Sequence, residues 1–266
     1  TRFSTVTGVQ TCALPIFTKI KSLEEERDEF ISIVSHELRT PVAIAEGALD
    51  NARLLAEKGY TQKVHEALVA AHDQVMFLAK MINDLSTLSR AERGVADETE
   101  TINLMELAGT LHSEFAPRAA EKGLRFDLDV SAQIGTIKAS RLYLTELLQN
   151  FIINAIKYTP QGGVTLRIHR RNGVVQFAVI DTGIGIGKTD QKKIFQRFYR
   201  AEDYRTRETS GTGIGLYVAG KLAHKLGCTI SVKSRLNHGS TFSFELTDPD
   251  TSAQSYPCNH GPDTLQ

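Results

Sequence analysis

The stretch Ser35-His36-Glu37-Leu38-Arg39-Thr40-Pro41 places an imidazole, a carboxylate and a hydroxyl within little more than one helical turn. A neutral imidazole has one ring nitrogen able to attack an electrophile and a second that carries the proton. Glu37 is adjacent to His36, so its carboxylate can orient the ring and take that proton. Successive helical side chains point about 100° apart, so Glu37 must bend toward the ring. Thr40 adds a hydroxyl on the turn after His36. Pro41 has no amide to donate to the Glu37 carbonyl, which leaves a local defect and predicts a kink. A lone helical histidine is ordinarily just solvated. His65, His72, His112, His169, His224 and His238 have no comparable neighbours and receive no role.

A second set of residues, far along the chain, has the chemistry of a nucleotide pocket. Asn150 and Asn154 in Leu147–Tyr158 are i,i+4 neighbours on one helical face. A carboxamide oxygen is a hard ligand suited to Mg²⁺, and Lys157 can reach a phosphate as a point charge. Two solvated asparagines are the plain alternative. In Val179–Ile186 a strand ends in Asp181, followed by Gly183 and Gly185. The acid can accept from an exocyclic amine, and the glycines allow close backbone approach, a pattern that suits adenine. Lys193–Arg200 carries Phe195, Phe198 and Tyr199, an apolar foot for a loop that closes. Arg200, Arg205 and Arg207 follow in a polar stretch, where cations can stabilise charge in phosphoryl transfer. Gly211-Thr212-Gly213-Ile214-Gly215-Leu216 opens a helix whose amides can face anionic phosphates. A dinucleotide fingerprint is the rival reading. It fails because no strand runs directly into this loop and no parallel βαβ unit surrounds it. The spacing is not a Walker A loop either, which needs Gly-Lys-Ser/Thr.

These groups need elements to carry them. Leu23, Phe30, Ile33, Val34, Leu38, Val42, Ala45, Leu49 and Ala52 recur at helical spacing from Phe17 onward. Gly59-Tyr60-Thr61 breaks the pattern, with Thr61 as N-cap. Val64, Leu68, Ala71, Val75, Leu78, Ile82, Leu85 and Leu88 form a second stripe. One hairpin cannot hide both stripes, which predicts a homodimer closing a four-helix bundle. Beyond it, helices are expected over 104–120, 141–158 and 214–226. Strands are expected over 124–130, 164–168, 174–180, 229–234 and 240–246, with Asn172-Gly173 as a tight hairpin turn. The fold class is α+β: a helical hairpin followed by an α/β-sandwich with a mainly antiparallel sheet. Five segments follow: 1–17 as a non-native or linker segment, 18–91 as the dimerising hairpin that carries His36, 92–101 as a linker, 102–247 as the α+β domain that carries the nucleotide-type residues, and 248–266 as a disordered tail. Thr7–Ile16 resembles a translated sequencing adapter, and a native sensor or membrane segment upstream would then be missing.

Composition narrows the partners. The chain has 266 residues, with Lys+Arg and Asp+Glu both at 31, 41% hydrophobic residues and no Trp. Balanced charge and the lack of a stacking platform argue against nucleic acid. Cys12, Cys228 and Cys258 form no CxxC pair, which suggests neither a disulfide framework nor a zinc site and fits a reducing compartment. No run approaches the roughly 20 apolar residues that span a bilayer. A cytoplasmic location is expected, with any membrane tether supplied by a missing upstream segment.

The block Ser35–Pro41 resembles the H-box of HisKA-type sensor histidine kinases. The later pieces resemble, in order, the N, G1, F and G2 boxes of the GHKL ATPase superfamily in its histidine kinase branch, and the resemblance spans about residues 18–247. It implies His36 as phosphoacceptor and Glu37 as its acid/base partner. Thr40 falls at the position the family links to dephosphorylating a response regulator. Asn154 is implied to bind Mg²⁺ and Asp181 to read adenine, with Lys157 and Tyr158 near the phosphates. Gly183 and Gly185 would shape the adenine pocket. Gly211, Gly213 and Gly215 would form the lid hinge and phosphate loop, with Asn150, Phe198, Arg200, Thr212 and Leu216 around the nucleotide. ATP-hydrolysing members carry a Glu one turn before the magnesium Asn, where this chain has Asn150. A carboxamide cannot take a proton from water, so hydrolysis should be slow. Many relatives carry an Asp just before the N-box helix, where this chain has Ala139-Ser140, with Ser140 able to cap that helix. The implied function is autophosphorylation of His36 from Mg-ATP, then transfer to a response-regulator receiver domain, with phosphatase activity toward that regulator. A catalytically weak dimeric scaffold and a phosphatase-dominant regulator are the competing readings.

Overall fold

The computed structural model describes residues 10–93, 99–201 and 212–247, with side chains from Asp28 onward except Glu29. The chain divides into two compact units, Thr1–Ile82 and Asn83–Gln266. The tail 248–266, Gly211, Arg205 and Arg207 lie outside the described residues.

The first unit is built on α1 (Gln10–Glu57) and the start of α2 (Thr61–Arg93). Helix α1 begins at Gln10, inside the segment 1–17 set apart on sequence grounds. It continues through Pro41, so the missing amide does not end it. Its C-terminus closes in a Schellman motif, in which Gly59 (φ +76°) takes the left-handed conformation. The Gly59 amide donates to Ala56 O at 3.0 Å and the Tyr60 amide to Leu55 O at 3.0 Å. Thr61 is the first residue of α2, not its cap. The carbonyl of Tyr60 accepts the Val64 amide at 3.0 Å, which puts Tyr60 in that position. Ala45, Ala52, Ala67, Ala71 and Met81 are buried within the single chain. Val42, Leu49, Leu68, Val75 and Ile82, members of the same two stripes, are exposed.

The second unit starts with the last turns of α2, where Asp84, Thr87, Leu88 and Ala91 are buried. Then follow β1 (Glu100–Asn103), α3 (Leu104–Glu121), β2 (Arg125–Val130), β3 (Thr136–Ala139) and α4 (Arg141–Tyr158). Next come β4 (Gly163–Arg171), β5 (Val174–Asp181) and the short α5 (Lys188–Gln191). The last elements are α6 (Gly215–Lys225), β6 (Ser231–Ser234) and β7 (Ser240–Thr247). Asn103 caps α3 by accepting from the Met105 and Glu106 amides, and Ser140 caps α4 by accepting from the Tyr143 amide at 3.4 Å.

The main sheet has five strands in the order β2-β4-β5-β7-β6. β2 and β4 run parallel and the other neighbours antiparallel. Asn172 (φ 51°) and Gly173 (φ 77°) make the β4–β5 turn, with positive φ at both central positions. Period-2 burial separates the faces. Val164, Leu166, Ile168, Val175, Phe177, Val179, Phe242, Phe244 and Leu246 are buried with the apolar sides of α3 and α4. Phe151 of α4 stacks on Phe242 at 5.2 Å, and Phe177 stacks on Phe244 at 4.8 Å. Burying one such ring contributes roughly 1.5–3 kcal/mol. The opposite face is polar: Asp129 accepts from Arg167 at 2.5 Å and pairs with His169 at 2.8 Å.

A small second sheet pairs β1 with β3, antiparallel. It differs from the sequence expectation in two ways: β3 was not anticipated, and β1 starts inside the expected linker 92–101. Both strands have four residues, too few for alternation to stand out, and their partners are distant in sequence, as in Glu100↔Ala139 and Asn103↔Thr136.

Candidate functional site

In the first unit, His36 and Glu37 lie on α1 with side chains 75% and 43% exposed. His36 Nδ1 and Glu37 Oε1 are 3.4 Å apart. A ring proton on Nδ1 would face this carboxylate, with Nε2 then the nitrogen available to attack. Thr40 Oγ1 donates to the His36 carbonyl at 3.4 Å and Ser35 Oγ to Ile31 O at 2.7 Å, so both hydroxyls back-bond along the helix. Nothing in this cluster reaches beyond one turn, which is why local spacing was enough to find it.

In the second unit the nucleotide-type residues come from helices α4 and α6, the end of β5 and the loops between them. Asn150 is buried and its Nδ2 donates to Glu146 O at 2.9 Å. Its Oδ1 faces the start of α6, where a Cβ on Gly215 would lie only 2.7 Å away. Gly215 is therefore needed for α4 and the N-terminus of α6 to approach. Gly213 (φ +66°) meets the Phe198 backbone, with the Phe198 amide donating to Gly213 O at 3.0 Å. Phe198 itself sits at φ 59°, an unusual conformation for an aromatic residue, held by this bond. Thr212 is buried and its Oγ1 accepts the Ile214 amide at 3.2 Å. Leu216 lies half-buried in the first turn of α6 and Arg200 is exposed.

The other end of α4 borders Asp181. A Cβ on Gly183 would lie 2.4 Å from the Tyr158 carbonyl and 2.9 Å from Thr159 Oγ1. A Cβ on Gly185 (φ +67°) would lie 2.0 Å from the Arg235 carbonyl. Asp181 is 8% exposed, and its Oδ1 accepts the Gly183 amide at 2.8 Å and the Ser240 amide at 3.1 Å. Burial pushes the Asp181 carboxyl up from its ordinary range, while the Gly183 and Ser240 amides and the Ser240 hydroxyl pull the other way. Oδ1 is thus held by two backbone amides. Lys157 Nζ donates to Tyr158 OH at 2.9 Å and sits 4.5 Å from that ring's centre. Asn154 is half-buried on the Asn150 face and has no hydrogen-bond partner among the described residues. A half-buried carboxamide with no side-chain partner among the described residues suits Mg²⁺, and a buried carboxylate suits adenine.

Four positions around this pocket escaped the sequence reading. Ser240 holds Asp181 from 59 residues away. Gly239 (φ +81°) lets β7 approach, since a Cβ there would lie 1.9 Å from the Asp181 carbonyl. Thr159, fully buried, donates to Ala155 O at 2.7 Å beside Gly183. Lys122 Nζ donates to the carbonyls of Ile156 (2.8 Å) and Lys157 (2.6 Å), closing the C-terminus of α4. Burial, with the nearby Lys157 charge second, pulls the Lys122 ammonium down from its ordinary range. Only Gly239, in Asn237-His238-Gly239, left a turn signal in the sequence. The rest depend on strand register.

Two family models match the chain. A His Kinase A (phospho-acceptor) domain matches residues 26–94. The histidine kinase-, DNA gyrase B-, and HSP90-like ATPase domain matches residues 139–250. The circadian input-output histidine kinase CikA of Synechococcus elongatus is 33% identical over 246 residues, covering 88% of this chain and 33% of that protein. The aerobic respiration control sensor protein ArcB of Escherichia coli is 31% identical over 239 residues, covering 88% and 30%. The chain thus spans about a third of the length of these relatives. Full-length ShkA, solved in complex with AMPPNP, is 28% identical with a TM-score of 0.59, over 82% of this chain and 45% of that one. The Acinetobacter baumannii histidine kinase AdeS shares the fold at 23% identity and a TM-score of 0.64, over 80% of this chain and 98% of that one. The phosphoacceptor helix around His36 and the ATPase layer around Asp181 each match their own domain, in the order that defines one family, and the chain belongs to the sensor histidine kinases.

Proposed function

We propose that this chain is the kinase core of a two-component sensor, which transfers the γ-phosphoryl group of Mg-ATP to His36 and from there to an aspartate of a response-regulator receiver domain. One observation carries the reading: the chain holds an exposed imidazole whose second nitrogen already faces a carboxylate, together with a buried acid held by two amides at a glycine-lined loop. His36 Nε2 would form the new P–N bond as the bond from the γ-phosphorus to the bridging oxygen breaks and ADP leaves. The proton on Nδ1 passes toward Glu37 Oε1. Asp181 and the Gly183 loop seat the base, and Lys157 and the α6 N-terminus face the phosphates. Asn154 would hold Mg²⁺, which neutralises phosphate charge when bound.

The exposed Val42, Leu49, Leu68, Val75 and Ile82 support a homodimer through the hairpin. Thr40, one turn beyond His36, would serve dephosphorylation of the regulator. Among the described residues no helix is long and apolar enough to cross a membrane. We place this segment in the cytoplasm, tethered if at all by residues upstream. The segment boundaries 18–91 and 102–247 are retained as the phosphoacceptor and catalytic domains.

The test is incubation with γ-labelled ATP. An acid-labile, base-stable label is expected on the wild-type chain and none on His36→Gln, while His36→Gln binds a non-hydrolysable ATP analogue as well as wild type. A label that survives the substitution refutes the assignment.

A further inference from the structure

The unit Asn83–Gln266 contains the last turns of α2, and these bring a carboxylate to the phosphate-binding loop. Asp84 is 5% exposed, which is rare for an aspartate. Thr212 Oγ1, itself buried, donates to Asp84 Oδ2 at 3.4 Å. The same hydroxyl oxygen accepts the Ile214 amide at 3.2 Å. Ile214 is the cap residue of α6 and supplies no side-chain cap, and the first turn of α6 carries no acidic residue. The Thr212 hydroxyl thus links the cap residue of an eleven-residue helix to a carboxylate from another element.

We propose that Asp84 is a residue bordering the nucleotide site that competes with the nucleotide phosphates: its carboxylate holds Thr212, in the loop that leads into α6, without ATP, and phosphate displaces it. This rests on reading Gly211–Leu216 as the phosphate loop. A carboxylate and a triphosphate near one helix end, in a site shielded from water, repel each other more strongly than they would in bulk solvent. The α2 end and the phosphates thus exclude one another, and anything that pulls the α2 end away raises nucleotide affinity. Asp84 becomes a positioning residue through which the C-terminal turns of the phosphoacceptor hairpin govern the loop.

The experiment compares a non-hydrolysable ATP analogue with adenosine by calorimetry. Asp84→Asn keeps an acceptor for Thr212 and removes the charge. It should bind the analogue about five- to tenfold more tightly than wild type and adenosine, which has no phosphates, unchanged. In the wild-type chain, saturating analogue should speed amide hydrogen exchange in residues 83–93. Equal or weaker analogue binding by Asp84→Asn, a matching change for adenosine, or exchange in 83–93 that is unchanged or slowed overturns the proposal. If Asp84→Asn does not fold, the wild-type exchange measurement decides alone. A wild-type chain that binds no analogue overturns the nucleotide reading as well. One that binds it normally while Asp84→Asn shows no gain overturns only the role of Asp84.

Discussion

The phosphoacceptor helix and the nucleotide pocket are built on opposite principles. Around His36 every polar bond spans four residues or fewer and every partner is exposed. Around Asp181 the defining bonds come from β7 and from the Gly183 loop, and the acid is buried. The difference suits the roles proposed for each site. A nucleophile that is handed a phosphoryl group, and then hands it on, has to be reachable by large partners, so solvent cannot be excluded around it. A site that selects adenine must hold a carboxylate away from water, where one hydrogen bond discriminates far more strongly. Selectivity needs tertiary structure, and accessibility needs its absence.

This contrast can be broken at either end. The largest effect is expected at Glu37. Glu37→Gln leaves the ring oriented but removes the proton acceptor, and should slow His36 phosphorylation by about 10²-fold or more, in the range of general-base loss. Analogue binding should not change. A variant that labels at wild-type rate in single-turnover experiments would show that Nδ1 needs no carboxylate.

Asp181→Asn should act in the opposite sense, weakening analogue binding by about 10- to 100-fold while leaving the α1 cluster untouched. The same variant tests the pH linkage. The folded-state pKa of Asp181 is raised above its unfolded value, so its contribution is fully present below the ordinary carboxylate range. That contribution is lost as pH rises through the raised value. The thermal midpoint of wild type should therefore fall with rising pH through this window more than that of Asp181→Asn. Parallel curves would mean that burial does not strain the carboxylate.

The smallest effect is expected at Lys122. Lys122→Met deletes both bonds to the Ile156 and Lys157 carbonyls. It should cost about 1 kcal/mol, because the ammonium is partly solvated and screened. Denaturant unfolding measures this directly. An unchanged midpoint would show that water replaces Nζ at the end of α4.

How legible the molecule was in its sequence follows the same division. The hairpin, the helices over 104–121 and 141–158, and the Asn172-Gly173 turn were all readable, because periodicity and turn chemistry repeat within a few residues. The strands β1 and β3, and the parallel pairing of β2 with β4, were not, since each depends on partners brought from elsewhere in the chain. The glycines of the pocket were readable as small residues. Their reasons were not: Gly183 avoids the Tyr158 carbonyl and Gly215 avoids Asn150.

By itself the sequence determined which groups could do chemistry. His36, Glu37, Asp181, Asn154 and the glycines were identifiable because their spacing carries local information. Tertiary structure alone decided which of those groups are buried and which are paired at a distance. It brought the Ser240 amide to Asp181 across 59 residues and Asp84 to Thr212 across 128. The physical reason is that helix and turn preferences act between neighbours. Burial and register depend on the whole layer closing at once, and no window of residues contains that.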